Sequence, residues 1–551
     1  MRVLGISAFQ RNSAAALAVD GRVVAAAREG RFTRLAGDSA FPSRAIRAVL
    51  HRGELQAPEL DAVVFYEKPL RKFERVLVNH LRAFPRSSVS FSRSVFLWLG
   101  ERLWVKNRIV ADLGVPAERV LFAEHLHALG MSAAGTSGRG DGALLVVDDV
   151  GEWATTLLAR VRAGRLEPLA EVLHPHSLGL VASAVTQFLG FIPGEEEHKV
   201  EALAAWGEPR FLEVLRRWVP VVDGLFRVDQ SPFRFTHDSD RLHEEALVEA
   251  LGPPRYPGDP LRCQAPDARD ADLAASLQAL LEERVLHLAR ELHRRAPGRH
   301  LSFAGALARN RTLQARLSSE GPFEEVWTPP SPGKAGGAVG AALSVPSASG
   351  ALTSHCFTSE ELFDAREPDA KSLPAGAVSE LVARLERQER VAWVRGPLEF
   401  SPHSMGGRLA LSDARGADAR VELLRALQQV EPFLPARVLL RREDRARYVD
   451  VAGAADGALA QAQLLVPATP ELRTAAPSAI LPNGLCWPQS VDRDDQPELH
   501  ELLTRCGRVL LATDFLLRGS PLVRGESDAV AAFRRSGLSA LVVGDRLYER
   551  S

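Results

Sequence analysis

Gly5-Ile6-Ser7-Ala8-Phe9-Gln10-Arg11-Asn12-Ser13-Ala14-Ala15-Ala16-Leu17-Ala18-Val19-Asp20-Gly21 is the stretch from which the fold can be read. An apolar run, Arg2 to Ser7, meets a polar break. A second run, Ala14 to Val19, leads to Asp20-Gly21 and then to Val23-Val24-Ala25-Ala26. Short apolar runs joined by Asp-Gly predict strands in a hairpin, because both central residues of the favoured two-residue turn need positive φ.

Further out, Ala62-Val63-Val64-Phe65 and Ala143-Leu144-Leu145-Val146-Val147 are short, continuously apolar and rich in valine. Such runs mark strands buried on both faces of an α/β sheet. Leu273, Leu277, Leu280, Leu281, Val285, Leu288 and Leu292 recur at helical spacing and predict a helix from Asp272 to Arg295, stopped by Ala296-Pro297-Gly298. The stretch from about Val345 to Gly376 has no strong period and reads as a boundary. Beyond it come a helix from Ala377 to Arg387, a strand at Val391–Val394, and strands near Val509–Leu511 and Ala540–Val543. The chain therefore divides into residues 1–350, a linker at 351–376, and a second α/β domain at 377–551.

With 551 residues, more than one packed unit is required. Apolar residues make up 46%, charged residues 25%, and the formal charge is −1. The basic residues, nearly all arginine, are interspersed with acids, and neither nucleic acid nor a membrane surface is indicated. Cys263, Cys356, Cys486 and Cys506 have no CxxC spacing, so neither a disulfide framework nor a thiolate metal site is implied. The N-terminus has no signal h-region, no run of 18 apolar residues follows, and a cytoplasmic location is expected.

The opening hairpin resembles the start of the NodU/CmcH/TobZ family of ATP-dependent carbamoyltransferases, roughly GISAFYHDSAAALVVDG. Further words fall in family order: Glu29 to Arg34, Val64 to Leu70, Val150 to Thr156, Trp206-Gly207-Glu208-Pro209, Leu398-Glu399-Phe400, Gln489 to Arg493, Arg518-Gly519 and Ala540 to Asp545. The resemblance implies an actin/sugar-kinase-like (ASKHA) first domain and a YrdC-like second domain. In the family the second domain makes carbamoyl adenylate from ATP and carbamoyl phosphate. The first, holding Fe(II), transfers the carbamoyl group to a hydroxyl of a small-molecule acceptor in secondary-metabolite biosynthesis.

The same resemblance marks departures. The family's His-Asp pair near the start is Arg11-Asn12. Of its four metal-ligand positions, His125 and Asp148 match, Leu129 stands at the second and Lys334 at the last. Leucine cannot coordinate, and an ammonium repels a cation. His127 cannot replace Leu129, since side chains two apart on a helix point about 200° apart. An alternative role for Lys334 is to supply the metal's charge itself, paired with Asp148. Gly333-Lys334 lacks the GxxxxGK[ST] frame of a P-loop.

In the second domain Pro397 and His403 replace family arginines, while Arg408 and Arg415 remain. Val430 and Leu434, both apolar, stand at two more cationic positions, Ala512 and Leu516 replace two amides, and Asp514 adds a negative charge. The resemblance thus assigns Arg11 and Lys334 to substituted catalytic positions, His125 and Asp148 to residual metal ligands, and Arg408, Gln489 and Arg518 to cofactor binding. Retained scaffold with substituted chemistry implies a carbamoyltransferase homologue without the standard iron- and ATP-dependent transfer. Such a protein would serve as partner to an active paralogue or in a homodimer. The alternative is an active carbamoyl or related acyl transferase with a rearranged, metal-independent site.

Overall fold

The computed structural model describes residues 1–238, 240–263, 267–345, 363–364, 375–451, 456–544 and 546–550. The expected linker at 351–376 lies mostly outside these; within it Phe363–Asp364 pairs antiparallel with Leu398–Glu399.

Strand Arg2–Ser7 pairs antiparallel with Ala14–Val19, which pairs with Arg22–Arg28. Asp20 and Gly21 have φ of 50° and 79°, the left-handed conformations that the Asp-Gly turn requires. On its other edge Arg2–Ser7 takes Ala62–Phe65 and then Val120–Phe122, both in parallel. A second sheet repeats the plan. Strands Gly142–Val147, Ala154–Arg162 and Arg165–Leu173 are antiparallel, and His300–Ala304 and Glu325–Trp327 add in parallel beside Gly142–Val147. Two sheets with the same order, each built outward from its first strand, form the duplicated α/β architecture of the actin/sugar-kinase fold.

The remaining residues build an eight-stranded mixed sheet that runs from Val466–Pro467 through Leu485–Val491, Arg437–Arg441, Leu510–Asp514, Arg408–Asp413, Val391–Val394 and Ala540–Val543 to Arg546–Glu549. This is the separate α/β domain expected of a YrdC-like half. Strand Leu510–Asp514 runs past the expected Leu511, because Ala512, Thr513 and Asp514 continue the ladder with Leu411, Ala410 and Leu409.

Helix Gly336–Leu343 holds the two halves of the first domain together. It packs against strand Arg2–Ser7 and helix His125–Ala134 so closely that glycine is required on both sides of the joint. A Cβ on Gly5 would sit 2.0 Å from the Ala338 carbonyl oxygen, and one on Gly340 would sit 1.6 Å from that of Ala128. The long helix spans Arg269–Arg295 and starts three residues before the expected Asp272. Its first turn is polar and invisible to apolar periodicity: buried Asp270 accepts hydrogen bonds from the backbone N–H and the guanidinium of Arg262. The helix after the boundary spans Ala375–Glu386, two residues ahead of expectation at its start.

Burial lowers the pKa of seven histidines, His80, His127, His174, His176, His198, His243 and His403, below the ordinary 6.5. His174, 7% exposed and with neither ring nitrogen hydrogen-bonded among the described residues, is pushed down to about 3 by burial and then by Arg75 and His176. Below pH 6.5 the unfolded chain therefore binds more protons than the folded one. Stability should fall as pH drops from about 6.5 toward 4, by on the order of 1.4 kcal/mol per unit for a wholly buried neutral histidine and less for exposed ones. Glu29 and Glu201, raised by burial, work in the opposite sense. Asp148 and Asp514, held low, lose their contribution only as pH falls below the unfolded aspartate value. Denaturant midpoints measured from pH 7 to pH 4.5 should decrease steadily; a flat profile would contradict the neutral, buried histidines.

Candidate functional site

Strand Gly142–Val147 ends at Asp148, which the sheet delivers, fully buried, to the floor of a cavity between the two domains. One carboxylate oxygen, Oδ1, accepts the Ala306 N–H at 2.8 Å, and Oδ2 lies 2.7 Å from His125 Nε2. His125 opens helix His125–Ala134, and its own N–H donates to Glu152 at 3.1 Å. Its ring meets the edge of Tyr66 at 5.2 Å, and Nδ1 has no partner among the described residues. Burial alone would raise Asp148, but the His125 hydrogen bond and the nearby Lys334 charge hold it well below the usual carboxylate range.

Lys334 enters from the other side, on the turn before helix Gly336–Leu343, where Ser7 Oγ donates to its carbonyl at 2.8 Å. Its Nζ donates to Asp149 Oδ2 at 2.8 Å, so the ion pair forms with Asp149 and not with Asp148, as the alternative role had it. The reason is geometric: both oxygens of Asp148 are already engaged by His125 and Ala306, and Asp149 is the next carboxylate. Burial disfavours the ammonium, yet Asp149 and then Asp148 raise its pKa above the ordinary lysine value.

These residues do not fit an iron ion. His125 Nε2 and Asp148 Oδ2 satisfy one another, and a lysine stands beside them. Leu129 is fully buried among Leu144, Val146 and Leu157, and His127 lies elsewhere on the helix, partly exposed. Among the described residues no group of three or more His, Cys, Asp or Glu side chains could hold a metal ion.

The cavity, of about 630 Å³, runs from Asp148, Asp149 and Lys334 to the second domain's His403, Thr513, Asp514 and Arg518. Arg11 lines its mouth and is ion-paired with Glu195. Arg518 lines it too, is exposed, and has no side-chain partner among the described residues, which fits the anion-binding role that the resemblance implies. Arg408 and Gln489 do not line it. Arg408, 1% exposed, spends its guanidinium on the carbonyls of Arg395, Gly396, Pro397 and Arg524. Gln489 donates to the Met405 carbonyl at 2.6 Å and accepts from Arg437 at 3.0 Å. Both are frame residues: arginines and amides that a sequence pattern marks as ligand-binding can equally serve the backbone.

Sequence reasoning passed over the residues that join the domains. Arg311, which follows the turn Gly305–Asn310, donates to His403 Nε2 at 2.7 Å and stacks on Trp487 at 4.0 Å. His403 Nδ1 in turn lies 2.8 Å from Asp514 Oδ2, so the ring donates to the carboxylate and accepts from the guanidinium. Arg437, ion-paired with Asp514, stacks on the same indole at 4.9 Å. Burial, then Arg311, pushes His403 down to about 4, with Asp514 pulling the other way. Asp514, which burial would raise, is held below the carboxylate range by Arg437 and then His403. Arg309 and Asn310 also line the cavity. The signal that could have found them is the polar Arg-Asn-Arg run directly after the Gly-containing turn that ends the His300–Ala304 strand.

Residues 2–343 match the family description "Carbamoyltransferase N-terminus" and residues 382–550 match "Carbamoyltransferase C-terminus". The chain is 32% identical to an uncharacterized protein of Synechocystis sp., over 98% of this chain and 95% of that one. It is 27% identical to nodulation protein NolNO of Sinorhizobium fredii, over 98% and 79% of the two chains, and 27% identical to nodulation protein NolO of Bradyrhizobium diazoefficiens, over 76% and 77%. Among solved structures it is similar to (R)-2-hydroxyglutaryl-CoA dehydratase component A of Acidaminococcus fermentans, at 14% identity and a TM-score of 0.34, over 63% of this chain and 97% of that one. It is also similar to HypF of T. kodakarensis, at 14% and 0.32, over 66% and 48%. Matched in both domains by the family description, and over nearly its whole length by nodulation protein NolNO, the chain belongs to the NodU-type carbamoyltransferase family.

Proposed function

We propose that this protein is a carbamoyltransferase homologue of secondary-metabolite biosynthesis that lacks iron- and ATP-dependent O-carbamoyl transfer on its own and serves as partner to an active relative. The observation that carries this reading is the closed arrangement of His125 with Asp148 and of Lys334 with Asp149. Side chains at the family's metal positions are there satisfied by one another. The second domain supports the same reading. Asp514, at a position of the phosphate-binding segment, neutralises Arg437, and His403, at an arginine position, is held neutral. Cations that are already paired have less to offer a phosphate.

A second reading rests on the cavity itself, which still joins the two domains and presents Arg309 and Arg518 with no side-chain partner among the described residues. An active transferase using Arg11, Lys334 and Asp148 without metal would need such a space. Calorimetric titration of the purified, metal-analysed protein with ATP and with carbamoyl phosphate, alone and together, separates the two. The partner reading expects no iron and no heat from either ligand. Tight binding of both, weakened at least about tenfold by Arg518→Ala as loss of a charged hydrogen bond requires, would reject it in favour of an active enzyme.

A further inference from the structure

Helices Pro69–Arg82 and Ser88–Gly100 fold into a hairpin that ends in the turn Arg102–Trp104. Its inner face is packed: Phe73 meets Trp98 at 5.7 Å, His80 meets Phe91 at 5.6 Å, and Arg102 lies over Trp98. Among its exposed positions are many large apolar side chains. Phe96 is 80% exposed, Leu70 73%, Phe84 72% and Leu81 69%, with Leu97, Leu99 and Trp104 at half or more. These are seven of the fourteen large hydrophobic side chains most exposed among the described residues, gathered within one short segment. Apolar exposure on this scale marks an interaction surface.

Charge indicates what it meets. Residues 69–108 contain nine Lys or Arg and two Asp or Glu, an excess of seven positive charges (9 − 2) within a chain whose formal charge is −1. Lys72 and Arg75 are buried, and Arg71, Arg93 and Arg108 are ion-paired. Arg82 and Arg86 are exposed and Lys106 is partly exposed, and none of the three has a carboxylate partner among the described residues. A second copy docking through the same face would set like charge against like. The hairpin is a pair of helices presenting Phe, Leu and Trp beside arginines, which is the composition that beds into the headgroup region of an anionic bilayer, with long basic side chains reaching the phosphates. No helix among the described residues is long and apolar enough to cross a membrane, so the contact is peripheral.

We propose that the hairpin of residues 69–104 docks this protein onto an anionic lipid surface. The even mixture of acids and bases over the whole chain, from which no membrane surface was expected, conceals this local excess. The test is flotation of the full-length protein with vesicles of phosphatidylcholine and phosphatidylglycerol, against phosphatidylcholine alone, at low and high salt. Partition onto the anionic vesicles should be at least about tenfold stronger and should fall with salt. The triple variant Phe96→Ser, Leu97→Ser, Leu99→Ser should abolish it. Arg82→Gln and Arg86→Gln should each weaken it by about fivefold, the fold-change of about 1 kcal/mol per basic residue. All five positions are exposed, so unchanged melting curves are expected of these variants. Failure to bind anionic vesicles at low salt would overturn the proposal, as would binding indifferent to the triple substitution. So would a wild-type dimer that the triple variant dissolves, since the surface would then belong to a second copy.

Discussion

Asp148→Ala should lower the free energy of unfolding by about 3–5 kcal/mol, the cost of breaking a buried, hydrogen-bonded charged contact by removing one partner. Asp148 is fully buried and its two oxygens serve His125 Nε2 and the Ala306 N–H. Truncation strands both donors beside a side chain that is fully buried. His125→Ala should cost less than the aspartate substitution, since Ala306 keeps its acceptor. The double variant should fall short of the sum of the two single losses by about 1–3 kcal/mol, the coupling expected of residues in direct contact. Lys334→Met removes a pair whose members are both partly exposed and should cost about 1 kcal/mol. Denaturant unfolding followed by near-ultraviolet circular dichroism measures all four. A loss for Asp148→Ala no larger than that for Lys334→Met would refute the closed arrangement on which the proposed loss of metal chemistry rests.

Gly340→Ala should cost about 3 kcal/mol or more, through overpacking rather than through lost contacts. The added methyl would meet the Ala128 carbonyl oxygen at 1.6 Å and the Ser132 nitrogen at 2.8 Å. Both are backbone atoms of helix His125–Ala134, so no rotamer change relieves the clash. The helices must separate, and helix Gly336–Leu343 also presses on strand Arg2–Ser7 at Gly5. The expected result is a melting temperature lower by about 10 °C, at the few degrees per kcal/mol typical of domains of this size. Gly298→Ala is the control, because nothing lies within 4 Å of its added Cβ and its φ is ordinary. A Gly340→Ala protein that melts like the control would mean that the two helices are not in this contact.

Much of the architecture was legible because it rests on local patterns. The runs at Arg2–Ser7 and Ala14–Val19 fell on the strands as read, and the Asp20-Gly21 turn leads into a third strand, Arg22–Arg28, that extends beyond the expected residues 23–26 at both ends. The valine-rich runs at Ala62–Phe65 and Val391–Val394 fell on the strands as read. Boundaries were less legible where polar residues carry an element onward. The first turn of the Arg269–Arg295 helix carries Asp270, paired with Arg262, and strand Leu510–Asp514 ends in residues whose only strand signal is their partner on Arg408–Asp413.

The candidate site was half legible. His125, Asp148 and Lys334 converge, and Arg11 and Arg518 reach the same cavity. Arg408 and Gln489 do not, since their polar groups are spent on backbone carbonyls and on Arg437. Nothing in a linear pattern distinguishes an arginine that binds an anion from one that ties down a loop.

By itself, then, the sequence determined the family, the two α/β domains and the residue types available at each site, because periodicity, turn chemistry and motif order are properties of neighbours along the chain. Only the tertiary structure decided which of those groups are already satisfied. That Lys334 pairs with Asp149 and that Asp514 neutralises Arg437 depend on residues far apart in sequence, and that seven large apolar side chains of residues 70–104 stay exposed depends on what packs against that segment. Pairing and exposure are set by distance in space, which no spacing along the chain encodes.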